Sequence, residues 1–485
     1  MVSEKADNTA TLKRTLGLYT TIAIVVGAVV GSGIFTKPAV MAEHLGSPQW
    51  ILAIWVVAGL ITLAGALTNA EIAGMITETG GQYEYFRVMY GEFTAFMYGW
   101  AIFAIIQTGS IASITYIFSH YAEYFFKLPE FSSETVWHGE LIIPFIGKIS
   151  FLEQIGRKIL TIGVIGFLTL VNYFGVAYGG ALSNFFTSLK LLVILFIVVI
   201  AFSFSGGSMQ YLSLASPSFD ASSAGIVAGI ASALAAAFWA YDGWNNVTYL
   251  AGEIKNPQRT LPIALFIGTI IVIFVYLLIN VAFIYVIPIS GMIGSERIAS
   301  DVVQKAAGSF GAGLIAAVVM ISTFGTSNGT IMASARVYFK MSRRNMFFDA
   351  VGKIQPKYRT PSNSLLIQFF WTAMLVLSGT FDILTDMLIF VSWIFYALGA
   401  YGVFVLRKKM PNAPRPYKIW GYPYISIIFV IFAFAYVVIT LYNDINNFAQ
   451  NKTELINSVF GLLLVSPGIP LYFYFKKKKN GSKAF

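Results

Sequence analysis

Cysteine is absent from this chain, and charged residues are scarce. None of the 485 residues is a cysteine, so the sequence forms no disulfide, thiolate metal site or cysteine nucleophile. Only three histidines occur (His44, His120 and His138), and they lie too far apart along the chain to predict a metal site. Asp, Glu, Lys and Arg make up 11% of the residues, whereas soluble domains carry about 25%. This shortage of charge excludes the soluble classes of protein.

Hydrophobic residues are abundant instead, at 57% of the chain, with a mean hydropathy of +0.72. A helix that spans a bilayer needs about 20 mostly apolar residues. The sequence therefore predicts an all-α polytopic membrane protein with 12 transmembrane helices. The predicted runs are 17–44, 49–76, 92–126, 157–178, 182–205, 224–252, 261–287, 310–341, 363–379, 383–407, 421–442 and 455–475.

The basic residues predict how the chain is oriented. A net charge of +10 could indicate nucleic-acid binding, but most of the charge flanks apolar runs, as in the tail lysines 476–479. With the N-terminus inside, 23 of the 32 Lys and Arg residues lie in cytoplasmic segments and seven in outer ones. Cytoplasmic loops of membrane proteins carry this excess of basic residues. We therefore expect a multi-pass plasma-membrane protein with both termini in the cytoplasm, no cleaved leader and no nucleic-acid partner.

The first apolar run contains Gly31, Ser32 and Gly33, which are poor helix formers. In hydrocarbon an interrupted helix persists only where it is buried in protein or lines a polar cavity. The N–H groups freed by such a break bind an anion, and the freed carbonyl groups bind a cation. An amino acid carries both charges, so this triplet is predicted to bind a substrate carboxylate. The alternative is that the small residues only let helices pack closely.

The sixth run is interrupted in the same way, at Asp242 and Gly243, followed by two asparagines. Interruptions at corresponding positions of two halves indicate an inverted-repeat transporter with its site at the breaks. The predicted organisation is a cytoplasmic N-terminus (1–16), two five-helix repeats (17–205 and 224–407), two further helices (421–475) and a basic tail (476–485).

Lys190 is a charged residue near the start of the fifth run. One interpretation is that its side chain reaches the interface with its apolar stem in the membrane. The other is that its ammonium replaces a metal cation, binding carbonyl groups freed in the first run and hydroxyl groups of the eighth. A buried lysine also loses its proton readily, so it could carry H⁺. The hydroxyl candidates are Ser322, Thr323, Thr326 and Ser327.

Five other residues have two interpretations each. Asp242 either caps the half-helix that follows it, where negative charge is favourable, or contacts the substrate side chain. Trp239 and Tyr241 either gate the site or are ordinary packing aromatics, since 16% of the chain is aromatic. Gln107 and Tyr276 either line the cavity or bond to neighbouring helices.

Four motifs together resemble the amino acid–polyamine–organocation superfamily, most closely its L-type amino acid transporter branch, which includes bacterial serine/threonine exchangers. The motifs are GSGIF (31–35), FWAYDGW (238–244), EIKNPQR (253–259) and STFGTSNG (322–329). The resemblance implies a LeuT-like fold: a 5+5 inverted repeat with helices one and six unwound, followed by two C-terminal helices. It also implies Na⁺-independent exchange of amino acids by alternating access.

The resemblance assigns roles to individual residues. Ser32 and Gly33 match the positions that contact the substrate carboxylate, and the carbonyl groups of Val29, Trp239 and Asp242 match those that contact the amine. The aromatic gate of the family matches Trp239, and Gln107, Lys190 and Tyr276 match polar positions of related transporters. The predicted pocket also includes Tyr241 and Gly243, and the predicted cation-substitute or proton site is Lys190 with Ser322 and Thr323.

The chain departs from the animal members in two ways. These commonly have glycine where Asp242 stands, so the side-chain pocket here is expected to be more polar. They also bind a single-span glycoprotein through a cysteine, and without cysteine no disulfide-linked heavy chain is expected. We expect a monomer that contacts only the amino acid and the lipid bilayer, with no cofactor or metal.

The predicted function is a Na⁺-independent antiporter of small to medium neutral L-amino acids. The alternative is an H⁺-coupled symporter in which Lys190 carries the proton. An enzyme is not expected, because titratable residues at membrane depth are few and dispersed. A receptor is not expected either, because no segment outside the apolar runs is long enough for a soluble domain.

Overall fold

Helices dominate the structure, a computed structural model that describes residues 14–481 apart from residues 15, 32, 79, 175–178, 218–221 and 359. Within that part, eight helices are long and apolar enough to cross a bilayer. Large apolar side chains on their outer faces are exposed, such as Ile431 (63%) and Phe434 (68%), as expected where lipid is the solvent. The chain is a multi-pass membrane protein, and the count of 12 spans stays a prediction.

The helices in the predicted runs have the following bounds: α1 (Leu18–Val29), α2 (Lys37–Leu45), α3 (Pro48–Met75), α4 (Gln82–Tyr90), α5 (Glu92–Ala101), α6 (Gln107–Ala122), α7 (Ser133–His138), α8 (Ile155–Phe174), α9 (Gly179–Ser203), α10 (Ser223–Tyr241), α11 (Pro257–Val286), α12 (Ile289–Met292), α13 (Ile298–Arg343), α14 (Ser362–Ser378), α15 (Phe381–Lys409), α16 (Tyr424–Ala449), α17 (Asn457–Val465) and α18 (Gly468–Gly481). Of these, α4, α7 and α12 lie in the connections between runs. Proline in the first turn suits α3 and α11, because the first N–H groups of a helix lack an intrahelical partner.

The first and sixth runs are each divided. In the first, α1 ends at Val29, a 3₁₀ turn covers Gly33–Phe35, and α2 begins at Lys37. In the sixth, α10 ends at Tyr241 and a 3₁₀ stretch covers Asn246–Glu253. Gly243 lies between these two pieces with φ of +94°, a backbone conformation that favours glycine. Both interruptions therefore occur where the glycines are.

The two divided helices pack against each other and against the same neighbours. Helix α1 contacts α9 and α11, while α2 contacts α10. Helix α3 packs along α11 and also touches α10, and α13 packs on α6 and α9. Apolar surface gains little by leaving lipid, so close packing and interhelical hydrogen bonds hold membrane helices together. The two divided helices therefore lie against each other, with α9 and α11 beside the first and α3 beside both.

Ion pairs connect separate elements at both ends of the helix bundle. At the predicted cytoplasmic end, Arg407 of α15 donates two hydrogen bonds to the buried carboxylate of Glu71 on α3, at 2.9 and 2.7 Å. At the other end, strands β1 (Glu140–Ile143) and β2 (Gly147–Ser150) form an antiparallel hairpin. Its Lys148 lies 3.0 Å from Glu454 in the loop before α17. Removing one partner of a buried pair costs about 3–5 kcal/mol, so the Glu71 contact is a strong constraint.

The structure describes the two termini of the chain only in part. Residues 1–13 of the predicted cytoplasmic N-terminus lie outside the described residues. Helix α18 continues to Gly481, so the four lysines from Lys476 are helical. The division into two five-helix repeats stays a prediction.

Candidate functional site

Tyr276 of α11 lies between the two breaks. Its hydroxyl oxygen is 2.8 Å from the carbonyl oxygen of Val29, at the end of α1, and 2.8 Å from that of Ala240, near the end of α10. The ring is fully buried and packs on Trp55 (centroids 5.2 Å apart) and Tyr241 (5.0 Å). A tyrosine hydroxyl has one proton. It therefore donates to only one of the two carbonyl groups at a time.

The carbonyl groups predicted to contact an amine lie along these same helix ends. The oxygen of Val29 also accepts a hydrogen bond from the Gly31 N–H, at 2.7 Å. The oxygen of Trp239 accepts a longer one from the Asp242 N–H, at 3.2 Å. A carbonyl oxygen has two lone pairs, so neither oxygen is saturated when Tyr276 donates to Ala240. These two helix ends thus present carbonyl oxygens that can accept further hydrogen bonds.

Gly33 begins the 3₁₀ turn and packs directly on α10. A Cβ atom at this position would lie 2.8 Å from the Cα of Ala240 and 2.9 Å from the ring of Trp239. At Gly31 the nearest such atom, the oxygen of Val29, would be 3.7 Å away. Ser32 lies outside the described residues. The first N–H groups of a helical turn have no intrahelical acceptor, so the turn at Gly33 offers donors to an anion.

Lys190 of α9 connects α1 to α13. Its side chain is 3% exposed, and its ammonium donates to the carbonyl oxygen of Gly27 at 3.1 Å and to Oγ1 of Thr326 at 2.5 Å. The predicted partner Thr323 donates instead to the carbonyl of Val319 in its own helix, at 2.9 Å. Oγ of Ser322 is buried and has no hydrogen-bond partner among the described residues. Of the hydroxyl candidates, the structure brings Thr326 to Lys190.

Polar side chains collect beside the second break. Tyr396 of α15 donates to Oδ1 of Asp242 at 2.6 Å. The Nε2 atom of Gln107 lies 3.5 Å from Oδ1 of Asn246. Along the chain, Gln107 directly follows a π-helical turn at Ile102–Ile106. Such turns occur frequently at functional sites. Sequence reasoning missed Tyr396, because nothing distinguishes it from the other tyrosines within apolar runs.

The aromatic residues of the predicted gate have different surroundings. Trp239 is 7% exposed and meets Phe381 of α15 edge to face, with centroids 5.1 Å apart. Lys37 of α2 lies beside both rings. Tyr241 lies on the other side of α10, where its hydroxyl donates to the carbonyl oxygen of Trp55 at 3.0 Å. Of the two aromatic residues, Trp239 lies beside the turn at Gly33 and Tyr241 faces α3.

Comparison with known proteins identifies the family. The sequence profile of the amino acid permeases matches residues 16–466, nearly the whole chain. The chain belongs to the amino acid permease family. The members are transporters and not enzymes, as the residues predict.

Several curated relatives of this permease are amino acid transporters by name. The serine/threonine exchanger SteT of Bacillus subtilis (strain 168) is 30% identical over 471 residues, which are 96% of this chain and 98% of the exchanger. The human b(0,+)-type amino acid transporter 1 is 29% identical over 86% of this chain and 81% of its own length. The human large neutral amino acids transporter small subunit 2 is 29% identical over 95% and 80%.

Replacing Gly33 by alanine tests the close contact between the two breaks. The new methyl group would overlap Ala240 and Trp239, and overpacking of this kind costs about 1–3 kcal/mol. We expect the apparent affinity for a transported amino acid to fall by about tenfold or more, measured by uptake into proteoliposomes. The control is Gly163→Ala in α8, where a Cβ atom would meet nothing within 4 Å. Unchanged affinity in Gly33→Ala would show that the two helices need not approach this closely.

Replacing Tyr276 by phenylalanine removes the shared hydroxyl and keeps the ring. The hydroxyl that donates to either Val29 or Ala240 is then lost, at a cost of about 1–3 kcal/mol for a buried carbonyl group deprived of this donor. We expect the transport rate to fall by about tenfold with the folded protein still produced. In the control Tyr116→Phe, the lost hydroxyl donates to the side chain of Gln154, away from both breaks. Transport equal in the two variants would contradict a role for the bridge.

Proposed function

We propose that this permease is a Na⁺-independent antiporter of small to medium neutral L-amino acids that works by alternating access. The observation that carries the proposal is the single hydroxyl of Tyr276 within 2.8 Å of two carbonyl groups from two broken helices. One of the two oxygens lacks this donor at any moment. The ammonium group of an amino acid supplies the missing donor.

The substrate carboxylate binds on the other side of the first break. The N–H groups of the turn that begins at Gly33 serve as its donors, together with Ser32. This placement uses the N-terminal end of a helical segment, where the backbone dipoles favour an anion. A zwitterion thus satisfies both halves of the break, which a simple cation or anion does not.

The position of Lys190 supports the proposed independence from sodium. Its ammonium occupies the space between the carbonyl of Gly27 and the hydroxyl of Thr326. A sodium ion at the same place would replace two hydrogen bonds and would be repelled by the fixed positive charge beside it. The ammonium therefore takes the place of a bound cation and links α1 to α13.

A small polar side chain fits the second break. The carboxylate of Asp242 accepts a hydrogen bond from Tyr396, at 2.6 Å, and retains further lone pairs. The hydroxyl of serine or threonine is a suitable donor to these. The exchanger from B. subtilis, whose name gives these two substrates, supports this range of side chains.

The proposal includes the architecture that the sequence predicts. Twelve spans are arranged as a LeuT-like 5+5 repeat with two further helices, both termini lie in the cytoplasm of a plasma-membrane protein, and the protein acts as a monomer without a disulfide-linked partner. The two divided helices in contact with each other support the repeat.

An H⁺-coupled symporter is the second candidate, favoured by the same lysine. The described partners of the Lys190 ammonium are a carbonyl and a hydroxyl oxygen, both neutral. Loss of its proton therefore leaves no unpaired carboxylate behind, and the neutral amine still bonds to Thr326.

Proteoliposomes separate the two candidates. For the antiporter, uptake of labelled L-serine requires unlabelled L-serine inside and is unchanged when choline replaces Na⁺. For the symporter, empty vesicles take up L-serine when the pH is lower outside. Sodium-dependent uptake would overturn the proposal.

The variant Lys190→Ala tests the lysine within the same assay. It removes the link from α1 to α13, so we expect the exchange rate to fall by about tenfold or more. The matched control is Lys452→Ala, an exposed lysine in the loop before α17. Exchange kinetics like those of the unmodified permease would exclude Lys190 from the mechanism.

A further inference from the structure

Lys37 is a buried charge in the first turn of α2, four residues after Gly33. Its side chain is only 3% exposed. The ammonium donates to Oδ1 of Asp382 at 3.0 Å and to Oγ1 of Thr385 at 3.4 Å. The side chain of Asp382, by contrast, is 66% exposed. One member of this ion pair is therefore enclosed and the other is open to solvent.

Two aromatic rings hold the lysine in place. The ammonium lies 4.5 Å from the ring centre of Phe381 and 5.5 Å from that of Trp239. Both distances are within the range at which an aromatic face attracts a cation. Since Phe381 also packs edge to face on Trp239, the lysine is part of the aromatic cluster next to the break. Lys37 is therefore in contact with two rings as well as with Asp382, whose own side chain is largely exposed.

The ion pair also joins the elements that must separate for access. Lys37 belongs to the second half of the first divided helix, and Asp382 lies at the start of α15. If Asp382 moves away, the enclosed ammonium loses the carboxylate that it is hydrogen-bonded to, while Asp386, one turn further along α15, is bonded to Asn457. A buried charge without a partner is strongly unfavourable, so another anion is drawn to the same position.

We propose that Lys37 is an entry site for the carboxylate of an amino acid, and that Asp382 occupies this site while the entrance is closed. The inference rests on the proposed function and on the orientation in which this end of α2 faces outside. The incoming carboxylate replaces that of Asp382 on the ammonium, beside Trp239. It then moves to the turn at Gly33, so that two carboxylate sites follow each other along the first divided helix.

Transport kinetics from each side test the entry site. In proteoliposomes of known orientation, Lys37→Gln is expected to raise the KM for external L-serine by about tenfold, with the internal KM and the maximal rate little changed. Lys452→Gln, which removes an exposed lysine, is the control and is expected to leave both KM values unchanged. An external KM within twofold of the unmodified value would overturn the entry site. An equal rise on both sides would also overturn it, because a purely structural role gives that result.

The absence of cysteine allows a second measurement that does not depend on transport. Thr36, beside Lys37 and 6% exposed, is replaced by cysteine as a single reporter. Adding Asp382→Asn is expected to raise the rate of labelling by a membrane-impermeant thiosulfonate about tenfold, because the neutral amide no longer closes the entrance. Ser133→Cys, at the exposed start of α7, should label equally with and without Asp382→Asn.

The two measurements fail in distinguishable ways. If labelling is the same in both backgrounds while exchange proceeds, Asp382 does not close the entrance and this inference is overturned with the proposed function intact. If labelling rises but no amino acid is exchanged by the unmodified protein, the proposed function fails. The closing role of Asp382 is then supported and the carboxylate entry site is overturned.

Discussion

The structure depends on supplying hydrogen-bond donors to carbonyl groups that two interrupted helices expose inside the membrane. An unsatisfied backbone group in hydrocarbon costs several kcal/mol, so an interruption survives only if other elements provide partners. Three side chains do so here. Tyr276 reaches the two helix ends, Lys190 reaches Gly27, and Tyr121 of α6 donates to the carbonyl of Phe35 at 3.0 Å. Each donor comes from a different helix, which ties the break to its surroundings on three sides.

These contacts also divide the first broken helix into two parts with different attachments. Its first half, α1, is joined to α9 through Lys190 and to α11 through Tyr276. Its second half, α2, is joined to α15 through Lys37. Movement of one half therefore breaks one set of contacts and leaves the other in place. The proposed alternating access requires this independence, because in that mechanism the two ends of the path open at different times.

How much of the site the sequence predicts depends on how local the physical cause is. The interruptions at Gly33 and Gly243 are predictable, because a glycine in an apolar run and its backbone freedom are properties of a few consecutive residues. Lys190 is predictable for a similar reason: a charge in a membrane helix needs polar partners. The hydroxyl group that Lys190 contacts is not predictable from the sequence, because Thr326 and Thr323 differ only in the face of α13 on which they lie.

Contacts between distant elements are the part that the sequence does not predict. Tyr396 and Asp242 are 154 positions apart, and Lys37 and Asp382 are 345 apart. The first pairing accompanies the packing of α10 on α15, and the second joins the start of α2 to the start of α15. Neither composition nor periodicity encodes that arrangement, and a tyrosine or an aspartate at a helix end has many ordinary explanations.

A structure of the permease with bound L-serine tests the central claim most directly. The account predicts the ammonium group within hydrogen-bond distance of the carbonyl oxygen of Val29 or Ala240, and the carboxylate within hydrogen-bond distance of the N–H groups of the turn at Gly33. L-Serine bound elsewhere in the bundle, with both breaks unoccupied, would contradict it.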